Sequence, residues 1–165
     1  DFGNSPFSYM QHKINGAKIS LSTTNGTQAI NTARNSHTIV IGSFLNLDAL
    51  CTWLKQQKRN VLCLCAGWKN SLNLEDTLCA GAIVKQLEND FDLSDFRDAA
   101  IVARHLYELA QDNLYKFLEE SSHRKRLARL HIDEDVVFCL TPNQTNVVPV
   151  LKGNVLYNDL KEKTD

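Results

Sequence analysis

The sequence predicts an α/β layer fold. Two observations carry it: three short, continuously apolar runs, and after each a junction of small polar residues leading into a helix-forming stretch. Ala17–Leu21 (AKISL) precedes Ser22-Thr23-Thr24-Asn25-Gly26-Thr27 and a helix from about Gln28. Thr38–Ile41 (TIVI) precedes Gly42-Ser43-Phe44-Leu45-Asn46 and a helix to about Lys58. Val61–Cys65 (VLCLC) precedes a polar loop and a helix that opens on Glu75-Asp76. Strands that are apolar throughout suit a parallel sheet buried on both faces. Strand–helix alternation implies right-handed crossovers and helices layered on that sheet.

The second half predicts one long helix from Ser94 to about Glu120. Ser94 is a good N-cap, Asp95 complements the helix dipole, and Phe96, Ala99, Ala103, Leu106, Ala110, Leu114 and Phe117 form a stripe at helical spacing. A basic helix follows, Ser122–Leu130. Two strands, Val136–Leu140 and Val147–Leu151, close the order. Pro149 cannot donate to a ladder, which places the second at an edge. The tail Lys161–Asp165 is polar and expected to fray.

A length of 165 residues fits one domain. The chain is 43% hydrophobic and 22% charged, with 18 Lys plus Arg against 19 Asp plus Glu, so it lacks the basic footprint of a nucleic-acid binder. No apolar run reaches the roughly 18 residues of a membrane span. The five Cys residues, at 51, 63, 65, 79 and 139, fall in apolar segments without Cys-x-x-Cys spacing, the pattern of reduced core thiols in a cytoplasmic protein. The chain opens at Asp1 rather than Met and is expected to be a piece of a longer protein.

Chemistry is expected at the strand–helix junctions, where open α/β sheets bind ligands. At the first, Thr24, Asn25 and Thr27 supply hydroxyls and an amide, and Gly26 allows close backbone approach to an anion at the helix start; the same residues also serve as an ordinary capped turn. It is not a Walker loop, because Gly-Lys-Ser/Thr is absent. At the second junction, Ser43 and Asn46 face the same crevice or simply cap the following helix. At the third, Asn73 reads as an N-cap. Glu75 and Asp76 then either offset the helix dipole or hold Mg²⁺, which takes one or two carboxylates and bridges to phosphate. The basic run His123, Arg124, Lys125, Arg126 and Arg129 is a solvated face or an anion contact. No Cys is followed by Arg six residues on, and no His-Glu-x-x-His or paired Cys/His set offers zinc.

Five blocks together resemble the 2-phosphosulfolactate phosphatase (ComB-like) family: DFGNSP (1–6), STTNGTQAI (22–30), IGSFLN (41–46), CAGWKNSLNLEDTLCAGAIV (65–84), and the run from Ser122 through His123 and Arg126 to Val148-Pro149. The resemblance implies a three-layer α/β/α fold with a mostly parallel, mixed sheet. It also implies Mg²⁺-dependent hydrolysis of 2-phosphosulfolactate to 3-sulfolactate, a step towards coenzyme M in methanogens. It assigns the metal to Asp76 and Glu75, with Asn25 beside them at the reacting centre. Thr24, Gly26 and Thr27 cradle the phosphate, Ser43 and Asn46 line the crevice, Asn4 and Ser5 close it, and His123 contacts a substrate anion. The partner is a small phosphorylated, sulfonated acid, not nucleic acid or membrane. The family's N-terminal section is expected to be missing from residues 1–165, leaving an unpaired strand edge that allows a homo-oligomer. His131 stands where the family usually has Gly, and Asn143-Gln144 near a usual acidic position. The alternative is a small-anion binding domain without catalysis. A nucleotide-binding domain lacks its glycine motif here.

Overall fold

The structure is a computed structural model that describes residues 3–10, 14, 17–91, 97–130 and 132–159. In chain order its elements are α1 (Pro6–Met10), α2 (Thr24–Thr32), a short 3-10 turn (Phe44–Asn46), α3 (Leu47–Gln57), α4 (Leu74–Leu87), α5 (Asp98–Ala110), α6 (Leu114–Phe117), α7 (Ser122–Ala128), α8 (Asp133–Cys139), β1 (Pro149–Lys152) and β2 (Val155–Asn158). None of the described helices is long and apolar enough to cross a membrane.

The core lies where α3, α4 and α5 meet the β1 side. Leu47, Leu50, Cys51, Trp53 and Leu54 are the buried face of α3; Leu78, Ala82, Ile83 and Leu87 come from α4; Ala110, Leu114, Leu118, Val148 and Val150 complete the cluster. Small residues bring α4 against α5. A Cβ on Gly81 would stand 2.0 Å from the Ala103 carbonyl oxygen, so the two backbones touch there. Ion pairs bridge the rim of the same pair: Lys85 Nζ to Glu108 at 3.0 Å and Arg104 Nη1 to Glu88 at 3.1 Å. Trp53 Nε1 donates to Asp159 Oδ2 at 2.8 Å, which ties α3 to the end of β2.

The described residues form a mainly helical structure with a small sheet whose strands pair antiparallel. β1 and β2 form a hairpin with Val150 opposite Tyr157 and Leu151 opposite Leu156. Its two-residue loop begins with Gly153 at φ 62°, as such hairpin loops require. On the other side of β1, Ile41 N–H donates to the Pro149 carbonyl and Leu151 N–H to the Ile39 carbonyl, both at 2.9 Å, and Val40 pairs antiparallel with Val150. Pro149 therefore sits at the start of a strand flanked on both sides, not on an edge. Its missing N–H costs nothing at the strand's first residue.

The expected parallel ladder is absent among the described residues. Residues 17–23 and 61–67 have no regular secondary structure, and neither segment makes a backbone hydrogen bond to a neighbouring strand among the described residues. Apolar composition selects extended backbone, whereas a strand also needs a partner's N–H and C=O groups. Leu62 is consequently 88% exposed, and Leu21 60%.

Two other expectations are corrected. Val136–Leu140 lies in and just after α8, not in a strand. Asp133, Glu134 and Asp135 occupy its first turn, where carboxylates favour a helix, and Phe138 packs on Phe7 of α1 at 5.3 Å between ring centroids. The long second-half helix is interrupted after Ala110. Asn113 caps α6, its Oδ1 accepting from Lys116 N–H at 2.9 Å, so the polar Asp112-Asn113 pair competes with helix continuation. Ser94, Asp95, Phe96, His131 and the tail Lys161–Asp165 lie outside the described residues.

Cys51 is buried and Cys63 and Cys79 half-buried, whereas Cys65 and Cys139 are exposed. Burial pushes the Cys51 and Cys79 thiols up to about 12 and Cys63 up to about 11. Iodoacetamide at neutral pH is therefore expected to modify Cys65 and Cys139 in the folded chain and the other three only after unfolding, read by mass spectrometry. Gly81→Ala is expected to destabilise the chain by about 1–3 kcal/mol, because α5 must move off α4. A urea midpoint equal to that of the unaltered chain would refute the contact.

Candidate functional site

The site grows from the turn between the apolar run 61–65 and α4. Gly67 has φ 68°, and a Cβ there would meet the Ser71 carbonyl oxygen at 2.7 Å. Trp68 and Ser71 exchange backbone hydrogen bonds of 3.1 and 2.9 Å across a two-residue tip, Lys69-Asn70, with φ 50° and 60°. Asn enters this left-handed region more readily than Lys, for which it costs about 1–2 kcal/mol. Such local strain collects at functional sites.

The chain then enters α4. Asn73 caps it, its Oδ1 accepting from Asp76 N–H at 3.1 Å. Asp76 Oδ2 in turn accepts from Gly67 N–H at 2.7 Å, latching the start of the loop to the first turn of the helix. Glu75 points elsewhere: its Oε1 accepts from Ser121 Oγ at 2.6 Å, and its Oε2 is buried with no hydrogen-bond partner. Ser121 is the N-cap of α7 and accepts from Arg124 N–H at 3.0 Å, so one hydroxyl links α4 to α7.

The basic helix divides by function. Arg124 is buried, lies over the Tyr115 ring at 4.4 Å and pairs with Asp133 at 2.6 Å, which makes it structural. Arg126 lies over the Trp68 ring at 3.6 Å and donates from Nη2 to His123 Nδ1 at 2.6 Å. A guanidinium only donates, so Nδ1 is the acceptor and neutral His123 carries its proton on Nε2. Burial holds the His123 pKa below its ordinary value, with Arg126 acting the same way and Glu75 and Asp76 opposing.

Two adjoining cavities flank the turn, with Ser71 lining both. One, about 230 Å³, is lined by Trp68, Lys69, Asn73, His123 and Arg126 among others. The other, about 340 Å³, brings Asn25, Gln28 and Thr32 of α2 against Cys65, Gly67 and Asn70. Asn25 and Gly67 thus line one cavity, although they belong to separate sequence blocks.

The remaining candidates fall elsewhere. TTNGT does not form a loop before the helix; Thr24, Asn25 and Gly26 are its first turn. Thr23 and Thr27 cap it reciprocally, each backbone N–H donating to the other's hydroxyl at 3.3 Å. A Cβ on Gly26 would stand 2.6 Å from Thr23 Oγ1, so the glycine serves the cap. Asn46 is buried and saturated: Oδ1 accepts from Ser43 N–H and Ser43 Oγ, and Nδ2 donates to the Ile41 and Val147 carbonyls. That makes Ser43 and Asn46 a clamp on the strand end, with no amide capacity left for a ligand. Asn143, at φ 61°, supplies the cap of α3 instead, accepting from Asp48 N–H at 2.9 Å. Asn4 and Ser5 precede α1, which packs on α8, and no described hydrogen bond joins them to α4. Among the described residues no cluster of three or more His, Cys, Asp or Glu could hold a metal. Two carboxylate oxygens among the described residues are buried without a partner, Glu75 Oε2 on α4 and Asp135 Oδ1 on α8; the first, next to Asp76, suits a hard cation that keeps most of its ligands as water and substrate.

Sequence reasoning missed Trp68 and Lys69. No glycine marks the Lys69-Asn70 turn, and Trp68 acquires its role only by stacking with Arg126 from another element.

The sequence profile described as 2-phosphosulpholactate phosphatase matches residues 1–154. A Thermotoga petrophila protein named probable 2-phosphosulfolactate phosphatase is 42% identical over 94% of this chain and 66% of its own length. Proteins of the same name from Caldanaerobacter subterraneus subsp. tengcongensis and Trichormus variabilis are 32% and 36% identical, over 94% and 92% of this chain and 64% and 62% of theirs. The chain belongs to the 2-phosphosulfolactate phosphatase family, and it spans just under two thirds of the length of these relatives.

A His whose folded pKa is lowered takes up its proton later than in the unfolded chain. Its contribution to stability is complete above the unfolded value near pH 6.5 and is lost as pH falls through the folded value. His123→Gln is expected to flatten stability against pH below about 6.5, measured by urea unfolding at several pH values; a slope identical to the unaltered chain's would refute the burial of His123.

Proposed function

We propose that the protein hydrolyses a phosphomonoester of a small sulfonated acid, with 2-phosphosulfolactate as substrate and 3-sulfolactate and phosphate as products. In the net reaction the oxygen of water bonds to phosphorus, the phosphorus–ester oxygen bond breaks, and the released alcohol keeps a proton from that water. The observation that carries this reading is convergence. Asn25 of the TTNGT block and Gly67 line one cavity, and the Gly67 N–H is held by Asp76 of the EDTLCAGAI block, in a chain that matches the family over residues 1–154.

In this reading Glu75, through its unpartnered Oε2, holds Mg²⁺, with Asp76 beside it. The ion, when bound, neutralises charge that develops on the transferring phosphoryl oxygens. Asn25 and the backbone N–H groups of Thr24 and Gly26, unpaired at the start of α2, take the phosphate. Thr27 supports them by fixing the cap. His123 contacts a substrate anion. The runs 17–23 and 61–67 are read as strands of the three-layer α/β/α sheet of a family-length protein. The first carries the α2 junction and the second the α4 junction.

Phosphate release from racemic 2-phosphosulfolactate, with Mg²⁺ and with EDTA, tests the reading. Release that requires Mg²⁺ is expected; release unaffected by EDTA would remove the metal, and no release would favour a binding-only domain. Two substitutions separate metal binding from folding at position 76. Asp76→Asn keeps an acceptor for Gly67 N–H and is expected to retain the urea midpoint while losing Mg²⁺-dependent release. Asp76→Ala is expected to lose about 1–3 kcal/mol of stability as well, from the unmade hydrogen bond. Full activity in Asp76→Asn would remove the carboxylate from the metal site.

A further inference from the structure

Ser121 makes more bonds than a helix cap needs. Its backbone is anchored on both sides: its N–H donates to the carbonyl of the core residue Leu118 at 2.9 Å, and its own carbonyl accepts from Lys125 N–H at 3.1 Å. Its hydroxyl oxygen accepts from Arg124 N–H at 3.0 Å, which caps α7. Capping uses only that oxygen. The hydroxyl's single proton is left to donate, and it goes to Glu75 Oε1 at 2.6 Å, 46 residues away in the chain. That length is in the range of a charge-assisted O–H···O⁻ bond. Ser121 is 5% exposed, so little water competes for either bond.

The donated proton is what sets this residue apart from an ordinary cap. Ser, Thr, Asp, Asn and Gly all serve at an N-cap. Holding a carboxylate as well requires a donor, which excludes Asp and Gly. A carboxylate gripped through one oxygen keeps the other in a set direction. At Glu75 that other oxygen, Oε2, is buried with no hydrogen-bond partner among the described residues. A tie between α4 and α7 needs only one of the two oxygens and does not explain why the second stays bare. Mg²⁺ demands near-octahedral placement of its oxygens, so a held oxygen suits it better than one that swings.

The structure assigns Ser121 as a positioning residue of the Mg²⁺ site: its hydroxyl holds Glu75 Oε1 and leaves Oε2 for the ion. This rests on the phosphatase reading for the presence of the metal. Ser121 acts through Glu75 alone. Asp76 is oriented separately, by Gly67 N–H on Oδ2, so the two neighbouring carboxylates are set by two different elements, one before α4 and one at the start of α7. The bond from Ser121 to Leu118, which is 1% exposed, ties the first of them to the core.

The experiment is a calorimetric titration of this chain with Mg²⁺ alone. It is repeated on Ser121→Gly, Ser121→Thr and Glu75→Gln, and the urea midpoint of each is recorded in EDTA. Ser121→Gly keeps a serviceable N-cap and removes the donor. It is expected to weaken Mg²⁺ binding about tenfold or more. Ser121→Thr keeps both acceptor and donor and is expected to bind Mg²⁺ like the unaltered chain. Glu75→Gln is expected to lose Mg²⁺ binding. A Ser121→Gly chain that binds Mg²⁺ like the unaltered one, with only its urea midpoint lowered, would make Ser121 a cap and a tie and overturn the assignment. So would a Ser121→Thr chain that shares the loss of Ser121→Gly at an unchanged urea midpoint. Glu75→Gln keeps the two readings apart. If it loses Mg²⁺ while Ser121→Gly does not, the positioning role falls and the metal reading stands. If it binds Mg²⁺ like the unaltered chain, or the unaltered chain binds none, the metal at Glu75 falls and the positioning role falls with it.

Discussion

The contact of α4 with α5 at Gly81 is the constraint on which the rest depends. The Ala103 carbonyl occupies the space of a Gly81 side chain, so the two helix axes are as close as backbones permit. Ala80 and Ala82 are buried on either side. Once α4 is held there, its apolar face, Leu78, Ala82, Ile83 and Leu87, fixes α3 against it. Its N-terminal turn, projecting beyond the core, fixes the direction of Glu75 and Asp76. The loop Gly67–Leu72 inherits its position through the Asp76 latch, and α7 inherits its own through Ser121 and Glu75. A packing contact without any polar chemistry thus places the polar groups.

Hydrogen-bonding capacity separates scaffold from site. Asn46 makes four hydrogen bonds and Thr23 and Thr27 cap one another, so these residues hold the chain in shape. Arg124, with Asp133 and Tyr115, is of the same kind. Glu75 Oε2 is buried without a hydrogen-bond partner among the described residues, and Lys69 and Arg126 line one cavity without a carboxylate partner among them. Leaving a carboxylate oxygen buried and unbonded costs stability, and a ligand group or cation offsets that cost.

The sheet side of the molecule is less complete than the helical side. β1 is paired on both flanks, whereas among the described residues the run 61–67 makes no backbone hydrogen bond to a neighbouring strand, and it exposes Leu62 and Leu64 beside the 340 Å³ cavity. An apolar edge of this kind is a template for another strand. Its proximity to Cys65 and Gly67 means that whatever pairs with it also borders the site.

The junctions, the cap at Asn73, the helix α3 and the basic helix α7 were legible in the sequence because each rests on local chemistry: a capping side chain, a periodic apolar face, carboxylates in a first turn. Asn25 and the Glu75-Asp76 pair were legible as candidates for the same reason. Local chemistry also misled. Asp133–Asp135 started a helix where Val136 and Val137 read as strand, and Asp112-Asn113 broke a helix that the apolar stripe carried through. Ser43 and Asn46 read as ligand groups, yet the Val147 carbonyl, 101 residues from Asn46, completes a purely structural clamp. The sequence by itself determined the helices α3, α4 and α7 and where carboxylates and small residues stand. Tertiary structure alone decided strand pairing, the burial of Glu75, the division of labour between Arg124 and Arg126, and the joining of Trp68, Lys69 and His123 into one cavity. Those depend on contacts between residues far apart in the chain, which periodicity and capping rules do not encode.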